Sequence, residues 1–231
     1  MNIEKKLIKY NFSSRNGQGI QYIVIHDTGN KNKGANADAN FNYFNGGNRN
    51  ASAHYFVDDK KILQVVEDTN ASWHCGDGGG KFGITNQNSI GIEICVNSDG
   101  NYDKAVANAI ELTKYLMKKY NIPLERVVRH YDASRKLCPA SMSQNNWAKW
   151  NWFKEQLREN QIPDWPIMKM GHRGEYVKQL QQRLNEVGYN LLVDGAFGPA
   201  TDRVVRDFQK KKGLMVDGYV GPATRKALFE Y

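Results

Sequence analysis

The stretch YIVIHDT at residues 22–28 decides the fold, because it is an apolar, β-branched run that ends on a histidine. Runs of this kind between polar or glycine-containing segments predict β-strands, here at 20–25 and again at 90–96. Two more strands are predicted at 52–57 and 62–66. Strands of this composition are typical of the buried part of a sheet, so the histidine is placed where a sheet ends.

Two amphipathic helices are predicted in the same part of the chain. Residues 103–120 place apolar side chains at spacings of three and four, and residues 147–157 repeat the pattern with a stripe of tryptophan, Phe153 and Leu157. The stripe is interpreted as core packing rather than as a binding platform. The larger part of the chain therefore mixes strands and helices.

The segment NQIPDWP at 160–166 contains two prolines, which favour extended backbone and predict a linker. We predict a larger domain at 1–160, a linker at 161–168 and a smaller domain at 169–231.

The smaller domain contains an internal repeat. VDGAFGPAT at 193–201 recurs as VDGYVGPAT at 216–224. The glycines permit a tight turn, and each proline stands where a helix can begin. Apolar residues at helical spacing precede and separate the two copies, so the sequence predicts an all-α module of three short helices joined by two matching loops.

Composition excludes several classes of protein. The chain has 231 residues, 40% of them hydrophobic, which fits a globular protein and not a disordered one. Its N-terminal residues hold no continuous apolar run, so we expect no signal peptide, synthesis in the cytoplasm and no membrane insertion. The three cysteines are an odd number, which argues against a disulfide framework. The net charge of +8 suits nucleic acid or any other polyanionic surface and selects neither.

A second histidine and a cysteine stand together in RHYDASRKLCP at 129–139. With the strand-end histidine, His130 and Cys138 make a set of two nitrogens and one sulfur, which leaves an open fourth position on a zinc ion. The spacing matches no closed structural zinc pattern. Considered singly, a histidine at a strand end is more often structural than catalytic, and Cys138 alone would be a buried thiol. Spacing alone therefore gives only a weak indication of a zinc site.

Five motifs strengthen the case for a metal site. They are IVIHDT, ASAHYFVDD, SWHCGDG, SIGIEIC and RHYDASRKLCP, in this order within residues 20–140. This set resembles the zinc-dependent N-acetylmuramoyl-L-alanine amidases, in particular those of bacteriophage endolysins and Gram-positive autolysins. The repeat at 193–224 is similar to the three-helix peptidoglycan-binding module often attached to such enzymes. The resemblance implies an α/β fold like that of T7 lysozyme and the peptidoglycan recognition proteins, with a mixed central sheet flanked by helices.

Carried over by position, the family's ligands for one Zn²⁺ fall on His26, His130 and Cys138. Glu93 is the expected proton-transfer group, because it faces away from the isoleucines of its strand, and a charged side chain is costly to bury there without a purpose. Some relatives have a tyrosine where this chain has Ala53, which favours Glu93 further. Lys136 matches the family position that stabilises the oxyanion.

The resemblance also suggests contacts outside this set. His54, Trp73 and His74 match positions near the substrate, although either histidine could equally be a core residue with satisfied hydrogen bonds. Asp132 is expected to orient a metal ligand. The wall-binding role of the module is assigned to the repeated pairs Asp194-Gly195 and Asp217-Gly218. The glycine-rich run at 76–80 is interpreted as a flexible turn.

The sequence thus predicts hydrolysis of the amide bond between the lactyl group of N-acetylmuramic acid and L-alanine, by zinc-activated water, with lysis of the bacterial wall. Peptidoglycan is the expected partner, nucleic acid is not, and a monomer is expected. Without a signal peptide, release to the wall is expected through a holin-type pore or by lysis. Two alternatives remain: a catalytically silent wall-binding protein, and a zinc peptidase that cuts within the stem peptide.

Overall fold

The structure is a computed structural model that describes residues 1–158, 163 and 165–229. The chain forms two compact units, Met1–Leu157 and Arg158–Tyr231, each with its own apolar core. Within the described ranges no helix is both long and apolar enough to cross a bilayer. The predicted boundary at residue 160 and linker positions 161, 162 and 164 lie outside the described residues.

Short strands and helices follow one another along the first unit. The strands are β1 (Ile3–Lys5), β2 (Phe12–Ser14), β3 (Tyr22–Asp27), β4 (Tyr55–Val57), β5 (Ile62–Gln64), β6 (Asn70–Ser72), β7 (Ser89–Ile94) and β8 (Val127–Arg129). The helices are α1 (Ala37–Asn45), α2 (Tyr102–Tyr120), α3 (His130–Ser134) and α4 (Gln144–Arg158). The predicted strands and helices of this part are all present, with ends shifted by no more than three residues.

The strand β3 lies inside a six-stranded sheet with the order β1-β5-β4-β7-β3-β8. It pairs in parallel with β7 on one side and with β8 on the other, whereas β4 and β5 are antiparallel. Ile23, Val24 and Ile25 have no exposed surface, as expected for a strand covered on both faces. The carboxyl ends of parallel strands meet at one edge of a sheet, so the ends of β3, β7 and β8 lie side by side.

Helices cover the sheet. The buried side chains of α2, among them Val106, Leu112 and Leu116, pack with those of α4 against the isoleucines of β3 and β7. A second cluster, with Phe56 and Leu63 and the partly buried aromatic residues of α1, forms elsewhere on the sheet. The predicted mixed sheet flanked by helices is confirmed.

The start of α4 differs from a regular helix. Asn145, Asn146 and Trp147 have left-handed backbone, with φ between 50° and 64°, so the regular turns follow Trp147. From there Trp150, Phe153 and Leu157 are buried in the main core, as the interpretation of this stripe as core packing required.

The second unit contains α5 (Glu175–Glu186), α6 (Pro199–Lys211) and α7 (Pro222–Phe229). Proline is the first residue of both α6 and α7, where its missing N–H costs no helical hydrogen bond. The apolar faces meet in a core that includes Leu180, Val205 and Leu228. The predicted three-helix module is confirmed.

Two buried glutamines hold the two matching loops in the same way. Gln181 accepts a 2.8 Å hydrogen bond from Gly195 N and donates to Asp194 Oδ1 at 2.8 Å. Gln209 makes the equivalent bonds with Gly218 N at 2.9 Å and Asp217 Oδ1 at 2.8 Å. The repeat in sequence therefore corresponds to a repeat in hydrogen bonding.

The described end of the predicted linker is a correction to the sequence analysis. Trp165 is 4% exposed and Met168 is 1% exposed, and both belong to the core of the second unit. Trp165 Nε1 donates to Gln179 Oε1 at 2.9 Å, and Met168 pairs with Val220. Burial of these apolar side chains in the core lowers the free energy of the folded chain, whereas an extended linker would leave them in contact with water.

Candidate metal centre and active site

Three side chains bring donor atoms together at the carboxyl ends of the parallel strands. His26 Nδ1 lies 3.1 Å from His130 Nδ1 and 3.8 Å from Cys138 Sγ, and the three donor atoms lie within 4.8 Å of one another. Tetrahedral zinc with ordinary Zn–N and Zn–S bonds would separate two nitrogens by about 3.3 Å and a nitrogen and a sulfur by about 3.6 Å. The spacing of the donor atoms and their chemistry therefore fit zinc.

Secondary structure places each of these donors. His26 is the penultimate residue of β3, and His130 is the first residue of α3, directly after β8. Cys138 follows α3 in a segment whose return is held by a 3.0 Å hydrogen bond from Tyr131 N to Cys138 O. The three residues are between 1% and 6% exposed. The predicted ligand set is thus brought together, in a site that largely excludes solvent.

Burial sets the protonation of the free donors. It lowers the pKa of His26 well below its usual value, with help from His74 and His130, so the imidazole is neutral and can bind a metal. Burial also raises the pKa of the Cys138 thiol, and Glu93 adds to this. A metal ion must displace the thiol proton when it binds, because the thiolate is the ligand.

Asp77, rather than the predicted Asp132, orients the candidate ligand His130. Asp77 Oδ1 accepts a 2.7 Å hydrogen bond from His130 Nε2, which leaves Nδ1 for the metal. Asp132 instead accepts from Arg129, through its backbone N–H at 2.9 Å and its guanidinium at 2.7 Å. The assignment of Asp132 is therefore corrected: it caps α3. The run at 76–80 that we interpreted as a flexible turn supplies the orienting carboxylate.

Glu93 lies beside the donor atoms. It is paired in register with His26 across β7 and β3, and its Oε1 is 3.9 Å from His26 Nδ1. Its Oε2 is buried and has no hydrogen-bond partner among the described residues, although the side chain as a whole is 20% exposed. Burial raises the pKa of Glu93 well above its usual value, Asp27 adds to the rise, and Lys136 opposes it.

A cavity of about 320 Å³ opens onto these groups. Lys136 is exposed and lies on its wall, so a cation faces the space beside Glu93. Trp73 is partly buried in the wall and is held by a 3.2 Å hydrogen bond from its Nε1 to Ser13 Oγ. The cavity is lined by His26, Asp27, Thr28, Gly29, Phe44, Ala51, Ser52, Trp73, His74, Glu93, His130, Lys136, Leu137, Cys138 and Ala140.

The two histidines left open by the sequence have different positions. His54 has no exposed surface and does not line the cavity. Its Nδ1 accepts from Gly91 N at 3.0 Å, and its Nε2 lies 3.0 Å from Asn70 O. This corrects the suggested substrate contact and favours the core alternative. His74 does line the cavity, but its Nδ1 is 3.0 Å from His26 Nε2.

The residues assigned to wall binding make their hydrogen bonds within the module. Besides their bonds to the glutamines, Asp194 Oδ1 accepts from Ala196 N and Asp217 Oδ1 accepts from Tyr219 N, both at 2.8 Å. Gly195 and Gly218 have positive φ, at 72° and 73°, which explains why the repeat has glycine there. These four residues shape the loops.

Comparison with known proteins identifies the class. The N-acetylmuramoyl-L-alanine amidase family matches residues 16–141, more than half of the chain, and a peptidoglycan binding domain family matches residues 173–228. The chain belongs to the N-acetylmuramoyl-L-alanine amidase family and carries a peptidoglycan-binding domain.

Individual relatives agree over nearly the full length. N-acetylmuramoyl-L-alanine amidase CwlH of Bacillus subtilis (strain 168) is 35% identical over 234 residues, which cover 92% of this chain and 91% of CwlH. N-acetylmuramoyl-L-alanine amidase XlyA of the same organism is 30% identical, and the match covers 93% of this chain and 93% of XlyA. The solved catalytic domain of XlyA is 38% identical with a TM-score of 0.60, over 68% of this chain and 99% of that domain. The enzyme class predicted from the five motifs is confirmed.

Proposed function

We propose that His26, His130 and Cys138 hold one Zn²⁺ and that Glu93 transfers protons during hydrolysis of the amide between the lactyl group of N-acetylmuramic acid and L-alanine. The observation that carries this proposal is the meeting of two imidazole nitrogens, one sulfur and a carboxyl with an unpartnered buried oxygen in one cavity. Zinc with three protein ligands keeps a position open, and when bound it acts as a Lewis acid that activates water at neutral pH.

Glu93 is the group placed to move the proton. Its carboxyl lines the cavity and is 20% exposed, so it can accept a proton from the attacking water and return it to the amine of L-alanine as the C–N bond breaks. Its raised pKa suits the second half of this exchange, because a carboxyl that holds its proton more firmly than a free one can carry it to the leaving amine. The register with His26 fixes the carboxyl beside the metal ligands.

Lys136 is proposed to stabilise the negative charge that develops on the amide oxygen. Its side chain is exposed on the cavity wall, two residues before Cys138, and no carboxylate forms an ion pair with it among the described residues. A cation held at the point where charge develops lowers the energy of the transition state more than that of the substrate.

The C-terminal unit is proposed to bind peptidoglycan and so to keep the enzyme on its substrate. Two binding events on one polymer raise the effective concentration of the catalytic unit at the wall. A full-length Glu93→Gln variant, expected to bind without cleaving, can be sedimented with purified walls to measure this. Failure to sediment would contradict the proposal.

Product analysis on purified peptidoglycan tests the reaction. We expect new L-alanine amino termini, no new reducing sugars, loss of activity with a chelator and recovery with added zinc. Amino termini of other residues would indicate a peptidase that cuts within the stem peptide, and binding without any product would indicate a silent wall-binding protein. New reducing ends would indicate a glycosidase.

A further inference from the structure

We propose that a chain of hydrogen bonds from the backbone carbonyl of Thr85, through Ser89 and His74, fixes the tautomer of His26 so that its Nδ1 lone pair faces the metal. His26 Nε2 lies 3.0 Å from His74 Nδ1, and His74 Nε2 lies 3.0 Å from Ser89 Oγ. Ser89 Oγ in turn donates to the carbonyl oxygen of Thr85. The inference rests on the proposed zinc site and makes His74 a positioning residue.

The carbonyl of Thr85, the last group in the chain, determines the donor and the acceptor of every hydrogen bond before it. A backbone carbonyl only accepts, so the single hydroxyl proton of Ser89 points to Thr85 O. The Ser89 oxygen must then accept from His74, which places the His74 proton on Nε2. His74 Nδ1 is left as an acceptor and takes its hydrogen bond from His26 Nε2–H. A neutral imidazole carries one ring proton, so His26 Nδ1 is free to bind a metal.

The surroundings hold this chain in place. Ser89 has no exposed surface and His74 is 8% exposed. The backbone N–H of His74 donates to Asn86 Oδ1 at 3.0 Å, and Thr85 N donates to Asn88 Oδ1 at 2.8 Å. A Cβ at Gly91 would lie 2.5 Å from the His74 ring, so only glycine leaves room for the imidazole there.

The other imidazole ligand is oriented by different chemistry. His130 Nε2 donates to the carboxylate of Asp77, whose side chain is 47% exposed, at a rim where the charge stays partly solvated. His26 lies 1% exposed beside Glu93, where a second carboxylate would add repulsion to a site that already buries one. A chain of neutral groups ending on a carbonyl fixes the proton of His26 without adding a charge.

The test compares Ser89→Ala with Ser72→Ala in the full-length protein. Ser72 is also fully buried and its Oγ lies 2.7 Å from His54 Nδ1, so it is a matched serine–histidine contact outside the chain. ¹⁵N NMR of the imidazoles in zinc-free protein reports the tautomers, and competition with a chelator reports zinc affinity. We expect a proton on Nε2 and none on Nδ1 of His26 in the wild type and in Ser72→Ala.

In Ser89→Ala we expect mixed tautomers at His26 and His74 and a loss of zinc affinity of about 10–100-fold, typical of groups that orient a ligand. A proton on His26 Nδ1 in the wild type would overturn the proposal, as would Ser89→Ala with tautomers and zinc affinity unchanged. Should Ser89→Ala not fold, His74→Asn, which keeps an acceptor near the Nδ1 position, should retain zinc better than His74→Leu, and equal affinities would overturn it. A wild type without zinc binding would refute the proposed function while leaving the tautomers readable.

Discussion

Asp77 Oδ1 and His130 Nε2 are 2.7 Å apart, and this contact ties a glycine-rich turn to one of the three proposed zinc ligands. Asp77→Asn keeps the shape of the side chain but removes its charge, so we expect zinc affinity to fall by about 10–100-fold. Asp132→Asn is the matched control, because Asp132 caps α3 through Arg129 and contacts no donor atom. Chelator competition measures both. Equal losses in the two variants would contradict the assignment of Asp77.

Replacement of Glu93 separates binding from chemistry. Glu93→Gln removes the proton-transfer group and keeps the volume, so we expect the rate of release of L-alanine amino termini to fall by about 10²–10⁴-fold. Zinc content, measured by metal analysis after dialysis, should stay at the wild-type level, since Glu93 is not one of the three donors. A variant that hydrolyses walls at the wild-type rate would show that another group moves the proton.

The turn that carries Asp77 depends on Gly78. A Cβ at Gly78 would lie 2.1 Å from the carbonyl oxygen of Ala133, so Gly78→Ala must push the turn away from α3. We expect a loss of about 1–3 kcal/mol in stability from overpacking, together with weaker zinc binding because Asp77 moves. Thermal unfolding and chelator competition measure the two effects. Gly19→Ala, which has nothing within 4 Å of the new Cβ, should change neither.

A buried carboxylate far from the donor atoms should make stability depend on pH. Asp68 is 5% exposed and accepts hydrogen bonds from Tyr55 at 2.7 Å, Tyr120 at 2.6 Å and Lys119 at 2.9 Å. Burial alone would raise its pKa, but these three donors outweigh burial and hold the pKa below its usual value. Asp68→Asn keeps one accepting oxygen but loses the charge and the other acceptor. It should therefore cost about 3 kcal/mol near neutral pH, the loss of one or two bonds to a charged group at about 1.5–3 kcal/mol each.

The pH dependence of that difference has a definite direction. A carboxyl with a lowered folded pKa stabilises the protein above its unfolded pKa, about 3.9, and this stability is lost as the pH falls through the folded pKa. We expect the gap between wild type and Asp68→Asn to shrink below about pH 4. Urea unfolding of zinc-free protein across this range measures it, and a gap that stays constant down to about pH 2 would contradict the assignment.

In the second unit, Gln181 is the residue to change. Gln181→Ala leaves Gly195 N without its partner and frees Asp194, so we expect a loss of about 2–3 kcal/mol in the stability of this unit. Sedimentation with walls should weaken in parallel. Amidase chemistry on a soluble muramoyl peptide should not change, because this residue belongs to the other unit. A change in that rate would show that the second unit takes part in the chemistry.

Much of the secondary structure could be predicted from the sequence, since apolar periodicity and turn residues act locally. The strands around His26 and Glu93 and the helices α2 and α4 follow from such patterns. The donor set followed from family motifs, because residues 104 positions apart meet only in the folded sheet. The strands β1, β2, β6 and β8 were not predicted. β1, β2 and β6 read IEK, FSS and NAS, which are too polar to stand out, whereas the equally short β4 and β5 lie within longer apolar runs.

The outer contacts of the metal centre were the hardest part to predict. Asp132 is near His130 in sequence, yet Asp77 reaches the ring from 53 residues away. The motif SWHCGDG contains Asp77, but its glycines suggested only a flexible turn and not a hydrogen bond to His130. His54 and Trp165 show the same limit: their polar atoms are satisfied by groups distant in the chain, which no local pattern records.

The two glutamine-anchored loops of the C-terminal unit have a consequence for how this protein can diversify. Because buried amides set the backbone of each loop, the outward side chains carry little of the folding energy. Leu192 and Met215, at equivalent places in the two copies, are 79% and 80% exposed. Such positions can be exchanged with little effect on the fold, so the chemistry of this surface can evolve, or be engineered, on a constant scaffold.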